Sequence, residues 1–153
     1  MLEHAMKVLE RLFEERIRER VEINEIQMGF MPGKGTIDAI FAVRQLMEKY
    51  GKIGKELYFV FVDLEKAFDR VPREVIWWAL RQKGVMEREV RAVMEMYEEV
   101  ETSVKLEGEM SEWFKIKVGV HQGSVLSPLL FAIVMDAVTE NVGKRNERVF
   151  VCG

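Results

Sequence analysis

The feature that most constrains the fold is a continuous run of apolar, aromatic and β-branched residues at positions 57–62, which ends at the carboxylate of Asp63. A run of this kind between charged residues is typical of a strand that is buried on both faces. It predicts a central strand, because its side chains need cover on both sides. Loops at strand ends are where sheets place their chemistry, so Asp63 is the first candidate site residue.

Amphipathic periodicity predicts helices around this strand, at residues 2–21, 37–50, 72–82, 87–99 and 128–141. Thr36 is expected to be the N-cap of the second helix, and Gly51 and Gly84 are expected to end helices. Residues 102–106 and 113–118 flank a Glu-Gly-Glu turn and predict a β-hairpin, and residues 148–152 predict the start of another strand. The pattern indicates one α+β unit.

Composition limits the class of protein. A length of 153 residues fits one domain, and the sole cysteine, Cys152, excludes an internal disulfide or a cysteine-rich zinc site within this sequence. No apolar stretch approaches the roughly 20 residues of a membrane span, and the N-terminus lacks a secretory pattern, so we expect an intracellular protein, nuclear or cytoplasmic, without a membrane partner. The net charge of −3 argues, taken alone, against nucleic-acid binding.

The segment that follows the apolar run carries two acids of different expected roles. Asp63 is a candidate ligand for a hard cation such as Mg²⁺, which takes oxygen ligands at about 2.0–2.1 Å, and the alternative is an Asp that caps a turn. Asp69 would lie about 20 Å further along an extended chain, whereas paired metals lie only about 3.5–4 Å apart. Its simpler role is to cap the helix that begins near Pro72.

A second polar segment, residues 118–128 (VGVHQGSVLSP), combines two glycines with Gln122 and a Ser-Pro helix start. Glycines allow a backbone to approach a ligand closely, a glutamine offers both a donor and an acceptor, and helix N-termini favour anions. The alternative is a loop shaped only for strand-to-helix packing. His121 is interpreted as a surface or hydrogen-bonded histidine rather than a catalyst.

Three segments in this order carry a resemblance to a known family. They are residues 27–36 (QMGFMPGKGT), 62–69 (VDLEKAFD) and 119–128 (GVHQGSVLSP). Together they resemble the reverse transcriptase of LINE-type (non-LTR) retrotransposons over nearly the whole chain. The resemblance implies a right-hand polymerase, with fingers-side helices and loop at about residues 1–55 and a palm at about 56–153, whose mixed or antiparallel sheet packs against helices.

The resemblance also implies an activity and a site. The activity is RNA-directed DNA polymerisation with an RNA template, a DNA primer and a dNTP, and the cofactor is Mg²⁺, as two ions in a complete site, with Mn²⁺ as a substitute. Asp63 is implied as the catalytic residue and metal ligand, with the backbone carbonyl of Leu64 as a second metal contact. The residues implied in nucleotide binding are Leu64, Lys66, Ala67, Phe68, Gln122 and Gly123, and Phe68 would block a ribose 2′-OH.

The chain departs from the family pattern at two points. Met31 stands where the family often has Arg, and the sequence contains no Asp-Asp pair, which the family carries on its next hairpin. We therefore expect the catalytic centre of these residues to be incomplete and the chain alone to be inactive. The first alternative is a degenerate or domesticated remnant that serves as a protein or RNA interaction module, and the second is another Mg²⁺-dependent phosphoryl-transfer enzyme.

Overall fold

The computed structural model describes residues 2–98 and 100–140. The helices in this part of the chain are α1 (Leu2–Arg18), α2 (Thr36–Lys52), α3 (Ala67–Arg70), α4 (Arg73–Gln82), α5 (Glu87–Tyr97) and α6 (Ser127–Thr139). The short strands β1 (Glu101–Thr102), β2 (Lys105–Leu106), β3 (Glu109–Met110) and β4 (Phe114–Lys115) lie between α5 and α6. Helices with small antiparallel sheets agree with the α+β class.

The core forms around α6, because this helix is apolar on nearly every side and an all-apolar helix is stable only when it is surrounded. It packs against α4, while α5 contacts α4 and α1. Pro128 lies in its first turn, as the sequence predicts. The largest members of this core that are almost fully buried are Ile17, Ile76, Leu80, Val90, Val93, Leu126, Leu129, Leu130 and Ile133.

A buried ion pair fixes the segment after α1 to this core. Asp136 of α6 is 3% exposed, and its Oδ2 lies 2.6 Å from Nζ of Lys83, at the end of α4. The backbone N–H of Asn24 donates to the other carboxylate oxygen at 3.1 Å. A carboxylate at this depth is costly unless it is paired and hydrogen-bonded, so these contacts hold three separate parts of the chain together.

A nested hairpin confirms the turn that the sequence predicts. β1 pairs with β4 and β2 pairs with β3, both antiparallel. The β2–β3 pair is therefore nested in sequence between the two strands of the β1–β4 pair. Glu107 and Gly108 form the tip with φ of 51° and 98°. Positive φ at both central residues is the geometry that matches the twist of two-residue hairpins.

The prediction of a buried central strand at residues 57–62 is wrong for the described part of the chain. This segment forms no strand, and Val60 and Phe61 are 87% and 85% exposed. A strand buried on both faces needs partner strands and two covering layers, and none of the strands in residues 2–98 and 100–140 pairs with it. The apolar run indicates that these residues favour burial, but it does not determine which strands would pair with them.

Smaller differences concern helix ends. The N-cap of α2 is Gly35 rather than Thr36, and the carboxylate of Asp38 accepts a hydrogen bond from the Gly35 N–H at 2.7 Å. α2 also continues through Gly51 to Lys52. Gly84, with φ of 76°, follows the end of α4 as expected. The strand predicted at residues 148–152 lies outside the described residues.

α2 packs loosely and leaves several of its apolar side chains exposed. Ala39 is its buried residue, whereas Ile37, Ile40 and Phe41 are 82%, 63% and 61% exposed. Such an apolar surface on a helix normally faces a partner element. Across the described ranges, no helix is both long and apolar enough to cross a membrane.

Candidate active site

The structure brings two of the three sequence segments side by side. The N–H of Gly119 donates to the carbonyl of Val71 at 2.8 Å, and the N–H of Val120 donates to the carbonyl of Phe68 at 2.9 Å. An isolated antiparallel bridge between Pro72 and Val118 continues this contact. The backbone that follows Asp63 and the backbone that precedes Gln122 are therefore paired directly, although they lie far apart in sequence.

Gly119 permits this close approach because it has no side chain. Its φ is +80°, and a Cβ at this position would lie 2.7 Å from the carbonyl oxygen of Asp69 and 2.9 Å from that of Phe68. Real Cβ atoms do not come this close to backbone oxygens, and an L-residue rarely adopts this φ. The glycine therefore approaches another backbone rather than a ligand.

A side-chain contact joins the same two segments. Nε2 of Gln122 donates to Oδ1 of Asp69 at 2.8 Å, across an exposed surface. The predicted capping role of Asp69 is wrong, because Asp69 lies inside α3 and the N-cap of α4 is Pro72, without a side-chain cap. The sequence singles out both residues but does not indicate their contact, since the pairing of segments that brings them together is tertiary.

Phe68 is held in an aromatic cluster with Phe30 and Phe131. Its ring stacks on that of Phe131 with centroids 4.6 Å apart, and Phe30 meets it edge-on at 5.2 Å. Phe30 belongs to the loop of the first segment and has φ of 58°, which is uncommon for a bulky side chain. The cluster therefore connects the segments at residues 27–36 and 62–69 to α6, the helix that begins at the end of the third segment.

Lys34 fixes the shape of the first segment. Its Nζ donates to the carbonyls of Glu25 at 2.5 Å and Gln27 at 3.3 Å, so the lysine closes the loop on itself. Gln27 is 1% exposed and donates from Nε2 to the carbonyl of Gly29 at 3.1 Å. These contacts give the loop a defined path next to Phe30.

The predicted metal ligand stands apart from this arrangement. Asp63 is exposed, and within the described part of the chain no hydrogen bond or ion pair joins it to another predicted site residue. The same residues contain no group of three or more His, Cys, Asp or Glu side chains that could hold a metal ion. A site for two ions needs several converging carboxylates, so the described residues do not by themselves fit the cofactor that the resemblance implies.

The remaining predicted residues lie on either side of the paired backbones. Lys66 precedes α3 with φ of 51°, and Ala67 begins that helix. Gly123 has φ of +84° and no heavy atom within 4 Å of an added Cβ, in contrast to Gly119. Leu64 is 51% exposed. The structure thus gathers Phe68, Gln122 and their neighbours, but not Asp63, into one contact region.

His121 is half-buried and packs against an aromatic ring. Its ring stacks on Tyr97 with centroids 4.1 Å apart, and its carbonyl accepts a hydrogen bond from Oγ of Ser127 at 2.7 Å. Burial lowers the pKa of His121, and the nearby charge of Arg73 lowers it further, although Glu10 opposes both effects. The stacking on Tyr97 and the hydrogen bond to the His121 carbonyl anchor the loop next to Gln122.

A cavity of about 330 Å³ is lined by Tyr97 and Arg73. Arg73 extends over the Tyr97 ring, 5.1 Å from its centroid, and donates to the Tyr97 carbonyl at 2.6 Å. The other lining residues are Glu74, Trp77, Met94, Glu98, Val100, Lys115, Ile116 and Lys117. The lining includes none of the predicted nucleotide-binding residues, so this cavity is separate from the candidate site.

Comparison with known proteins places these features in a family. The family model described as "Reverse transcriptase (RNA-dependent DNA polymerase)" matches residues 1–152. The Retrovirus-related Pol polyprotein from type-1 retrotransposable element R2 of Nasonia vitripennis is 31% identical over 143 residues, which are 91% of this chain and 14% of that protein. The resemblance to LINE-type sequences that the motifs indicate is thereby confirmed.

Two further relatives are also proteins of transposable elements. The Retrovirus-related Pol polyprotein from type-2 retrotransposable element R2DM of Drosophila melanogaster is 34% identical over 121 residues, covering 79% of this chain and 11% of that protein. The Probable RNA-directed DNA polymerase from transposon X-element of the same species is 31% identical over 140 residues, covering 87% of this chain and 15% of that protein. The chain thus spans about a seventh or less of the length of these relatives.

Proposed function

The chain belongs to the reverse transcriptase (RNA-dependent DNA polymerase) family, and on that premise we propose that it forms fingers and palm parts of an enzyme that copies RNA into DNA. The substrates are an RNA template, a DNA primer and a dNTP. The observation that carries the proposal is the direct backbone pairing of the segment at Phe68 with the segment at Val120, because it assembles two of the family's motifs in one place.

The proposed nucleotide subsite lies beside this pairing. We assign to it Leu64, Lys66, Ala67 and Phe68 from the segment at residues 62–69, and Gln122 and Gly123 from the segment at residues 119–128. Backbone N–H groups in a turn with αL residues, such as the one at Lys66, form concave anion sites that suit phosphate oxygens. The amides of Lys66 and Ala67 are therefore proposed to face the triphosphate.

Phe68 is proposed as the group that excludes a ribose 2′-OH. Its support is geometric, because stacking on Phe131 and the edge contact with Phe30 restrict the ring to a narrow range of positions. A side chain that distinguishes a ribonucleotide from a deoxyribonucleotide must keep its position. If the ring could move aside, its overlap with the 2′-OH would cost little energy. The same packing also gives Phe68 a share in stability.

The proposed metal site contains one carboxylate from the described residues, that of Asp63. Asp63 would supply one ligand for Mg²⁺ and the backbone carbonyl of Leu64 would supply another, with Mn²⁺ as a substitute. Mg²⁺ dehydrates reluctantly and is usually bound by one or two carboxylates together with substrate phosphates. The remaining ligands have to come from substrate or from residues other than those that the structure describes.

The alternative of a remnant that acts only as an interaction module is not favoured, because the relatives are polymerase and Pol proteins. The test uses the protein made from the longest natural reading frame that contains residues 1–153. With an RNA template, a DNA primer and dNTPs, we expect primer extension that Asp63→Asn abolishes. The matched control is Glu112→Gln, which neutralises an exposed carboxylate in the hairpin and should leave extension unchanged. Equal extension by Asp63→Asn would contradict the proposed role of Asp63.

A further inference from the structure

Asp69 is not among the predicted site residues, yet it holds one of them. We propose that Asp69 is a positioning residue that orients the side-chain amide of Gln122, so that the carbonyl end of the amide is presented to the nucleotide. This inference rests on the proposed function, because it assigns a cause to the geometry of the same subsite. Its basis is the hydrogen bond of 2.8 Å from Nε2 of Gln122 to Oδ1 of Asp69.

The contact is supported by the backbones on both sides of it. Asp69 lies next to Phe68, whose carbonyl accepts from Val120, and the close approach at Gly119 leaves no room for the two segments to move closer. Two exposed side chains on flexible loops would meet only part of the time. Here the segments that carry them are already paired, so less conformational freedom is lost when the hydrogen bond forms.

His121, the residue that precedes Gln122, is anchored as well. His121 stacks on the ring of Tyr97, and its carbonyl accepts from Ser127 at the start of α6. Gln122 therefore follows two residues that are held in place, Val120 by the backbone pairing with Phe68 and His121 by its packing on Tyr97. The remaining freedom is rotation of the glutamine side chain itself, and the carboxylate of Asp69 restricts that rotation.

The chemistry of the two groups decides which end of the amide is used. An ionised carboxylate only accepts hydrogen bonds, whereas a glutamine amide donates from nitrogen and accepts at oxygen. Asp69 therefore selects the nitrogen of Gln122 and leaves the oxygen Oε1 for a ligand. A nucleotide would then meet an acceptor, which recognises a hydrogen-bond donor on the base or the sugar.

The experiment uses the 153-residue chain labelled with ¹⁵N and follows the side-chain amide of Gln122 by NMR, with the resonance assigned from its loss in Gln122→Ala. We expect the two amide hydrogens to differ from those of free glutamine and to return to free values in Asp69→Ala. The matched control Glu65→Gln removes an exposed carboxylate that pairs with Arg70 and should change neither hydrogen. Free-glutamine values in the unmodified chain would overturn the inference.

The functional arm titrates Mg²⁺·dATP into the same samples. We expect saturable shifts at Gln122 and Gly123, with binding weakened roughly tenfold in Asp69→Ala, an effect of about 1.4 kcal/mol. Asp69→Asn, which can donate as well as accept, should retain the thermal midpoint but weaken binding, because it lets the amide turn either way. A purely structural role would instead lower the thermal midpoint and leave binding by the folded fraction unchanged.

The outcomes separate the inference from the proposed function. Binding at Gln122 and Gly123 that is equal in the unmodified chain, Asp69→Ala and Asp69→Asn would overturn the positioning role and leave the nucleotide subsite standing. Absence of any nucleotide shift in the unmodified chain, at concentrations that saturate weak sites, would overturn the subsite and with it the positioning role, even if the hydrogen bond is present.

Discussion

Replacing Gly119 by alanine tests the pairing on which the candidate site depends. The added Cβ would lie 2.7 Å from the carbonyl oxygen of Asp69, so one of the two backbones has to move. The left-handed φ of +80° costs an L-residue roughly 1–2 kcal/mol. Movement also weakens the hydrogen bonds from Gly119 to Val71 and from Val120 to Phe68, each worth about 1 kcal/mol. We expect a total loss of about 3–4 kcal/mol in the free energy of unfolding.

Gly123→Ala is the matched control, because it has the same chemistry without the close contact. Its φ is +84°, but no heavy atom lies within 4 Å of the added Cβ. It should lose only the conformational term of roughly 1–2 kcal/mol. The entropy that alanine removes from the unfolded chain is shared by both variants and cancels in the comparison.

The measurement is urea unfolding of the purified chain, followed by circular dichroism and by tryptophan fluorescence. For a slope of about 2 kcal/mol per M, the difference of about 2 kcal/mol places the midpoint of Gly119→Ala about 1 M below that of Gly123→Ala. Coincident transitions by the two probes are required before the values are compared. Equal losses in the two variants would refute the close approach of the two backbones at Gly119.

Three further predictions concern other parts of the molecule. The 153-residue chain alone should not extend a DNA primer on an RNA template with Mg²⁺ or Mn²⁺, because Asp63 is the one carboxylate that matches a metal-ligand position, and extension that disappears in Asp63→Asn would contradict this. Val60→Lys should change the free energy of unfolding by less than about 0.5 kcal/mol and reduce aggregation, since this position is 87% exposed, whereas a loss of several kcal/mol would indicate a buried strand. Burial, followed by the charge of Arg73, lowers the pKa of His121. Below about pH 6.5, His121 therefore binds a proton more readily in the unfolded chain than in the folded chain. Its contribution to the free energy of unfolding is fully present above that pH and is lost as the pH falls. In urea unfolding at about pH 7.5 and about pH 5.5, His121→Gln should reduce this loss, and an unchanged pH dependence would assign the loss to other groups.

Much of the helical framework follows from the sequence, because its causes are local. The helix of residues 127–139 is apolar on nearly every side and begins with Ser-Pro, so both its burial and its start can be predicted. The hairpin tip at Glu107 and Gly108 is likewise set by a short turn that needs positive φ. The family itself is carried by motif order, which needs no coordinates.

Other features depend on contacts between distant parts of the chain. The apolar run at residues 57–62 predicts burial, but a strand is stabilised by partner strands, and the run contains no information on whether they are in place. The hydrogen-bond partner of Asp69 likewise cannot be predicted from neighbouring residues. Its sequence position favours a helix cap, and only the pairing of its segment with Gly119 brings Gln122 within 2.8 Å.

The sequence by itself therefore determines the helices around α6, the hairpin and the membership of the reverse transcriptase family, since periodicity, turn chemistry and motif order are all properties of neighbouring residues. The tertiary structure alone decides that Phe68 packs between Phe30 and Phe131, that Gln122 bonds to Asp69, and that Asp63 stands apart from them. The physical reason is that these contacts arise from the approach of separate segments, and that approach is fixed by packing around the core rather than by any local preference.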